Sequence, residues 1–368
     1  MHLYIHVPFC ARRCSYCDFA IAVRRVVPSE EYLNAVLAEW QSLATHPAWD
    51  LSPGLDTIYL GGGTPSRLAP ASLTALLRRI TADRSLADDA EVTLEANPDD
   101  VTPQAAEGWI AAGVNRISLG AQSFSDAALN WMHRTHDVRQ IGQAVTTLRT
   151  AGHDNLSLDL IYGLPDSVER DWEADLHRAL SLDPEHFSFY GLTIEPGTAL
   201  SKWTTRGDSI PLPDDRAAGE YLTAHEAVTR AGYEHYEVSN AAKPGARARH
   251  NAAYWARRPF LGIGPAAHSG VGEVRSWNVR EWEQYRRNVV SGIAAVSESE
   301  SLSPEQVALE DLYLGLRTSD GLPVSRVPSE ILDRWASAGW ARSLGGRVRL
   351  TPEGWLRLDA LVANLAGT

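Results

Sequence analysis

Residues 4–19 read YIHVPFCARRCSYCDF and hold all three cysteines of the 368-residue chain, Cys10, Cys14 and Cys17. An odd count excludes a complete disulfide framework. No basic leader precedes the stretch, and no run of about 18 apolar residues occurs anywhere. The sequence therefore reads as a cytoplasmic chain without a spanning helix. In a reducing compartment, clustered thiols bind metal or do chemistry more often than they build structure. A structural zinc site wants four ligands, usually two cysteine pairs, and no second pair exists here. Iron–sulfur clusters take thiolates readily, and three thiolates on a 4Fe-4S cluster leave one iron free for another ligand.

Outward from the cysteines, the first two-thirds alternates between strands and helices. Short β-branched or aromatic runs mark strands at Leu3–Val7, Thr57–Leu60, Glu91–Leu94, Arg116–Leu119, Ser157–Ile161 and His186–Tyr190. Amphipathic runs lie between them. SEEYLNAVLAEWQSLA opens at Ser29, an expected N-cap, and VERDWEADLHRALSL reads as helix from Val168. Gly113 and Gly152 close two further helices. The alternation implies an α/β fold with parallel pairing, and six strands predict a partial (β/α) barrel. Functional groups should then gather at the C-terminal ends of the strands. Polar loops stand there: GGGTPS from Gly61, EANP from Glu95, GAQSF from Gly120, and Asp159 before YGLP. The glycines let backbone groups approach a ligand that a Cβ would block. The GxGxxG dinucleotide spacing is absent from this loop.

The CxxxCxxC spacing, with Tyr16 before Cys17, resembles the signature of the radical S-adenosylmethionine (SAM) superfamily. In that superfamily the open iron chelates the amino and carboxylate groups of SAM, and the reduced cluster cleaves the sulfonium. The resemblance implies that Cys10, Cys14 and Cys17 ligate the cluster. It implies SAM contacts for Tyr4, Tyr16, Gly62, Gly63, Thr64, Glu95, Gln122, Arg134 and Asp159.

Further stretches resemble, more narrowly, the oxygen-independent coproporphyrinogen III oxidase group and most closely its HemW-type heme-chaperone branch. They include NRISLGAQSF, LDLIYGLP, YGLTIEPGT, YEVSNAAKPGARARHNAAYWARRPFLGIGPAAHS and LYLGLR, and together they cover nearly the whole chain. The oxidase pattern carries a further cysteine two positions past the triad, where this chain has Phe19, and an N-terminal extension, where this chain has nine residues before Cys10. RHNAAYW matches the HNxxYW motif of the chaperone branch, which implies heme contacts for His250, Asn251, Tyr254 and Trp255. Lys243–Arg258 holds five basic residues and no acid, in a chain of net charge −12, and would suit heme propionates. The expected function is thus heme binding and delivery to hemoprotein acceptors, respiratory ones at the inner membrane surface among them. Peripheral membrane association and a homodimer are further expectations. The alternative is radical decarboxylation of coproporphyrinogen III, and turnover of some other substrate stays open. His6, His268, Trp277 and Asn278 gain no role from the sequence.

The acidic balance argues against a nucleic-acid partner. The pattern changes near Ser301. Two helices, a strand, a Gly345-Gly346 turn, a second strand and a final helix capped by Thr351 resemble a winged helix. The expected division is a barrel over 1–235, a connecting region over 236–300 and a winged-helix-like α+β domain over 301–368.

Overall fold

A computed structural model describes residues 1–51 and 54–367. The six expected strands form: β1 (His2–Val7), β2 (Leu55–Gly62), β3 (Leu86–Ala96), β4 (Arg116–Gln122), β5 (Leu156–Tyr162) and β6 (His186–Gly191). Each pairs in parallel with the next, in chain order. Helices α1 (Ser29–Ser42), α2 (Pro70–Asp83), α3 (Pro103–Ala111), α4 (Val138–Ala151) and α5 (Trp172–Ser181) cover the outside.

Strand alternation sorts the two faces. Leu3, Ile5, Ile58, Leu60, Leu94, Ile117, Leu119, Leu158 and Leu160 pack against Val36, Leu73, Leu77, Ile141 and Leu148 of the helices in one continuous apolar core. Each such side chain contributes about 1.5–3 kcal/mol on full burial. The other face is polar. Tyr4, Tyr59, Thr93 and Arg116 lie side by side in register across β1–β4, and Glu95, Ser118, Ser157 and His186 across β3–β6. Polar groups thus line the concave interior and apolar ones the helical layer.

Two helix starts differ from expectation. Ser29 is the first residue of α1, with Pro28 in the cap position, and its hydroxyl accepts instead from the Ala69 N–H at 3.0 Å. Helix α5 begins at Trp172, because the Asp171 carboxylate accepts from Ala174 N at 3.0 Å and caps the chain there.

The sheet continues beyond six strands. Asp214–Arg230 (α6) leads to β7 (Glu234–Glu237) and β8 (Asn240–Ala242), which pair beside β6. After the short helix α7 (Arg249–Trp255) come β9 (Phe260–Ile263), β10 (His268–Val271), β11 (Val274–Asn278) and β12 (Val296–Ser301). Strand β9 pairs in parallel with the free side of β1, and the 12-stranded order is β12-β11-β10-β9-β1-β2-β3-β4-β5-β6-β8-β7. Residues 236–300, expected as a connector, are therefore woven into both ends of the sheet. Asn278 gains a role here. With Gly264 N and Tyr285 OH, its Nδ2 donates to the buried Glu39 carboxylate of α1, at 2.6, 2.7 and 2.5 Å respectively. Burial pushes that carboxyl up to about 7. His268 is exposed and stacks on Trp277 at 5.8 Å.

A second apolar cluster, with Leu316, Trp335, Val348, Leu350, Trp355 and Leu361, organises the C-terminal segment. It contains α8 (Pro304–Arg317), α9 (Ser329–Ser337), α10 (Leu358–Ala366) and a small sheet of β13 (Leu322–Pro323), β14 (Ala341–Leu344) and β15 (Arg347–Leu350) in the order β13-β15-β14. Gly345 and Gly346 turn β14 into β15, both with positive φ. Thr351 caps a separate short helix, Pro352–Trp355, which precedes α10. Among the described residues no helix is long and apolar enough to cross a membrane.

Candidate functional site

A cavity of about 630 Å³ opens at the C-terminal ends of the barrel strands. Cys10, Cys14 and Cys17 line it, as do Tyr16, Gly62, Gly63, Thr64, Glu95, Gln122 and Arg134. All three thiols are free and partly exposed. The cysteine loop is held at several points. Cys17 N donates to Cys14 O at 3.3 Å, Ser15 N to Met132 O at 3.1 Å, and Leu200 N to Ser15 O at 2.8 Å. His6, on the interior face of β1, is hydrogen-bonded to Tyr4 OH and to Ala20 O, both at 3.0 Å. Burial lowers its pKa to about 4, so the ring is a neutral strut for the loop. The Thr64 hydroxyl donates to Cys10 Sγ at 3.4 Å. Burial pushes the Cys17 thiol up to about 11 and raises that of Cys10.

The glycine turn after β2 passes directly against the end of β1. Gly63 N donates to Val7 O at 2.7 Å, and a Cβ on Gly63 would stand 2.7 Å from the Pro8 carbonyl carbon. Gly62 has φ +112°, and its N–H donates to Glu95 Oε2 at 3.0 Å. Tyr59 OH donates to Glu95 Oε1 at 2.8 Å. Burial pushes Glu95 up to about 7, with the Asp159 charge adding to the rise. Gln122 sits at a register shift between β4 and β5 with φ +66°, a bulge that turns the chain at the cavity. Arg134 is anchored by Asn97 Oδ1 at 2.5 Å and Gly120 O at 3.1 Å.

Two of the expected contact residues stand behind this wall. Tyr4 is stacked on Tyr59, with centroids 6.1 Å apart, and is absent from the cavity lining. Asp159 accepts from Ser118 at 2.8 and 3.0 Å and from Ser157 at 3.3 Å, which leaves Ser118 to face the cavity. The lining also includes Asn97, His133, Tyr162, Tyr190, Glu195 and Ser239, which the sequence reading did not single out. Asn97 lay within the quoted EANP. Strand alternation marks Tyr190, and nothing local marks His133 or Ser239.

The expected heme segment is placed elsewhere. Helix α7 closes the N-terminal ends of the barrel strands: its first N–H groups, from Arg249 and His250, donate to the Glu91 carboxylate at 3.0 Å each, and Arg116 Nη1 donates to Ala246 O at 3.1 Å. His250 is 1% exposed. Its Nδ1 meets Thr57 Oγ1 at 2.6 Å and its Nε2 meets Tyr254 OH at 2.8 Å. Burial, with the nearby His2, lowers its pKa to about 3. Both ring nitrogens are thus engaged, and neither reaches the cavity. Tyr254 packs edge-on against Phe260 at 4.6 Å, and Trp255 lies under the Arg317 guanidinium at 4.1 Å. Asn251 is half-buried on the same helix and is outside the cavity lining. Four of the five basic side chains of the stretch are ion-paired, and Arg258 is exposed. Lys243 pairs with Asp183 and Glu185, Arg247 with Glu234, Arg249 with Asp89, and Arg257 with Glu310 and Asp311.

Three thiols spread around one cavity fit a polynuclear group better than a single ion. Among the described residues no three Cys, His, Asp or Glu side chains converge for one metal. Comparison with known proteins agrees. Residues 4–179 match the radical SAM superfamily model. The heme chaperone HemW of Mycobacterium tuberculosis is 36% identical over 99% of this chain and 94% of its own length. That of Escherichia coli is 39% identical over 74% of this chain and 70% of its own length. Among solved structures, the coproporphyrinogen III oxidase HemN of Escherichia coli superposes with a TM-score of 0.81 at 23% identity, covering 99% of this chain and 89% of that one, and so shares the fold. Thiol spacing, cavity and end-to-end similarity lead to one conclusion: the chain belongs to the HemW family of the radical SAM superfamily.

Proposed function

We propose that this protein is a heme carrier, which binds heme and hands it to hemoprotein acceptors from a scaffold that also holds a 4Fe-4S cluster and SAM. The similarity to relatives named heme chaperones, which runs the length of the chain, carries this reading. Respiratory hemoproteins at the inner membrane surface are the acceptors that it favours.

In this reading Cys10, Cys14 and Cys17 give three thiolates to the cluster. The chain contains no fourth cysteine, so one iron is left for SAM. The bound cluster supplies one-electron chemistry to the sulfonium. The chain's own residues bind and orient. The missing Cβ atoms of Gly62 and Gly63 let the turn pack against His6 and Pro8 and present its backbone to the cavity, Glu95 accepts from an ammonium or a ribose hydroxyl, and Arg134 holds a carboxylate. Tyr4 and Asp159 support this wall from behind. Phe19, 59% exposed on the cavity rim, stands where the oxidase pattern has its further cysteine, which disfavours coproporphyrinogen III decarboxylation.

The test is a heme titration of the anaerobically reconstituted protein, followed by mixing with an apo-cytochrome. Stoichiometric binding and transfer faster than from heme–albumin are expected. Binding no tighter than albumin's overturns the reading, and decarboxylation of coproporphyrinogen III then becomes the assay of choice. Serine variants of the three cysteines should lose iron and sulfide together, and retention of both would remove the thiols from the cluster role.

A further inference from the structure

We infer that His133 supplies the axial ligand to the heme iron, at the mouth of the cavity lined by the cysteines. The inference rests on the carrier reading and adds where the cargo is held.

His133 is the one histidine among the residues lining that cavity. None of the other imidazoles lines it. Those of His250 and His186 are hydrogen-bonded through both ring nitrogens inside the barrel. His6 is likewise bonded twice, and His136 and His153 are buried against backbone carbonyls. The half-buried His133 ring takes part in no hydrogen bond or ion pair among the described residues. Its contact is edge-on to the Trp203 indole at 5.4 Å, and Trp131 lies 5.8 Å from that same indole.

The backbone makes this placement informative. The helix Asp126–Trp131 ends with His133 N donating to Asn130 O at 3.0 Å and Arg134 N to Leu129 O at 2.9 Å. This puts His133 at φ +60°, a left-handed position that glycine fills most easily. A bulky imidazole is strained there, and no bond inside the protein compensates it. The sequence neighbours of His133 are tied to the cysteine loop: Met132 O accepts from Ser15 N at 3.1 Å, and Arg134 Nη1 lies 3.5 Å from Cys14 Sγ. The imidazole is therefore held beside the thiols with its nitrogens unengaged. Phe19 and Tyr190, 59% and 46% exposed, and Ile194, 38% exposed, offer apolar surface near this opening for a porphyrin face. Ligation is a dative bond from a ring-nitrogen lone pair to iron. It displaces at most a bound water and transfers no electron.

Hemin titration of the full-length reconstituted chain tests this, read by the Soret band and by the ferric spin state in electron paramagnetic resonance. His133→Gly relieves the backbone strain and should fold; His133→Asn tolerates the same left-handed geometry. Both should weaken hemin binding by about tenfold or more and change the spin state. Millimolar imidazole should restore the wild-type spectrum in His133→Gly. Wild-type affinity and spectrum in both variants would overturn the inference while leaving the carrier reading intact. Weakened binding that imidazole fails to restore would likewise remove His133 as ligand. Failure of the wild-type chain to bind hemin stoichiometrically overturns the carrier reading, and this inference with it.

Discussion

Arg134 joins the cysteine loop to two strand ends: Nη1 lies 3.5 Å from Cys14 Sγ, while Nη2 donates to Asn97 Oδ1 and to Gly120 O. Its Nε is buried without a partner. A fixed guanidinium with an unused donor suits a carboxylate. Arg134→Gln should weaken SAM binding to the cluster-loaded chain by about ten- to a hundredfold, from the loss of about 1.5–3 kcal/mol in charged hydrogen bonds. Calorimetry decides this, and a change of about twofold or less removes Arg134 from that role.

Glu95 gives a pH signature. Its folded pKa is pushed up to about 7 from 4.5, mainly by burial. The folded state therefore holds this proton more tightly than the unfolded one. The associated stability is fully present below about pH 4.5 and is lost as pH rises toward about 7. Glu95→Gln keeps the bond to Gly62 N, and the Tyr59 hydroxyl can reverse to accept. The fall in urea midpoint between about pH 5 and about pH 8 should shrink in this variant. An undiminished fall means that other carboxyls, Glu39 among them, carry it.

His250→Ala should act on stability first. It empties a fully buried site and strands the Tyr254 hydroxyl, while Thr57 keeps its hydrogen bond to His2 Nδ1 at 3.0 Å. A loss of about 2–4 kcal/mol in chemical denaturation is expected. A variant as stable as wild type contradicts the buried position. Any effect on heme binding should be read only after this loss is matched by a control core substitution of equal cost.

Arg317, from LYLGLR, ties the C-terminal module to the barrel. Nε pairs with Glu237 Oε2 at 3.0 Å, Nη2 donates to Ser239 Oγ at 3.3 Å, and the guanidinium covers Trp255. Glu237 is fully buried. Arg317→Met strands that carboxylate and should cost about 3–5 kcal/mol. Replacing both residues, as Arg317→Met with Glu237→Gln, should recover part of it. A double variant no better than the single one refutes the pairing argument.

The barrel was legible because its signals are local. Period-two alternation in HLYIHV and DTIYLG separates interior tyrosines and histidines from exterior leucines and isoleucines, and Gly152 ends α4 in the left-handed form its type predicts. The thiols and glycine turn announced the mouth of the barrel in the same way. The fate of His250 was not legible. Its partners Thr57 and Glu91 are 193 and 159 residues away, so only the assembled sheet brings them together. The ion pairs of the basic run 243–258 were hidden for the same reason, since the acids that pair with Lys243, Arg247, Arg249 and Arg257 come from distant segments. Strands β9 and β10 are four residues each, too short for alternation to stand out.

Helix α7 acts as a stopper. Glu91, Arg116 and Thr57 hold it across the strand starts, opposite the cysteine-lined cavity. If the protein carries heme as proposed, cargo entering past the cysteines meets this stopper at the far end. Loading and unloading would then share the cysteine-lined side and take turns, so the order of visitors, rather than a passage through the strand starts, would set the direction of transfer.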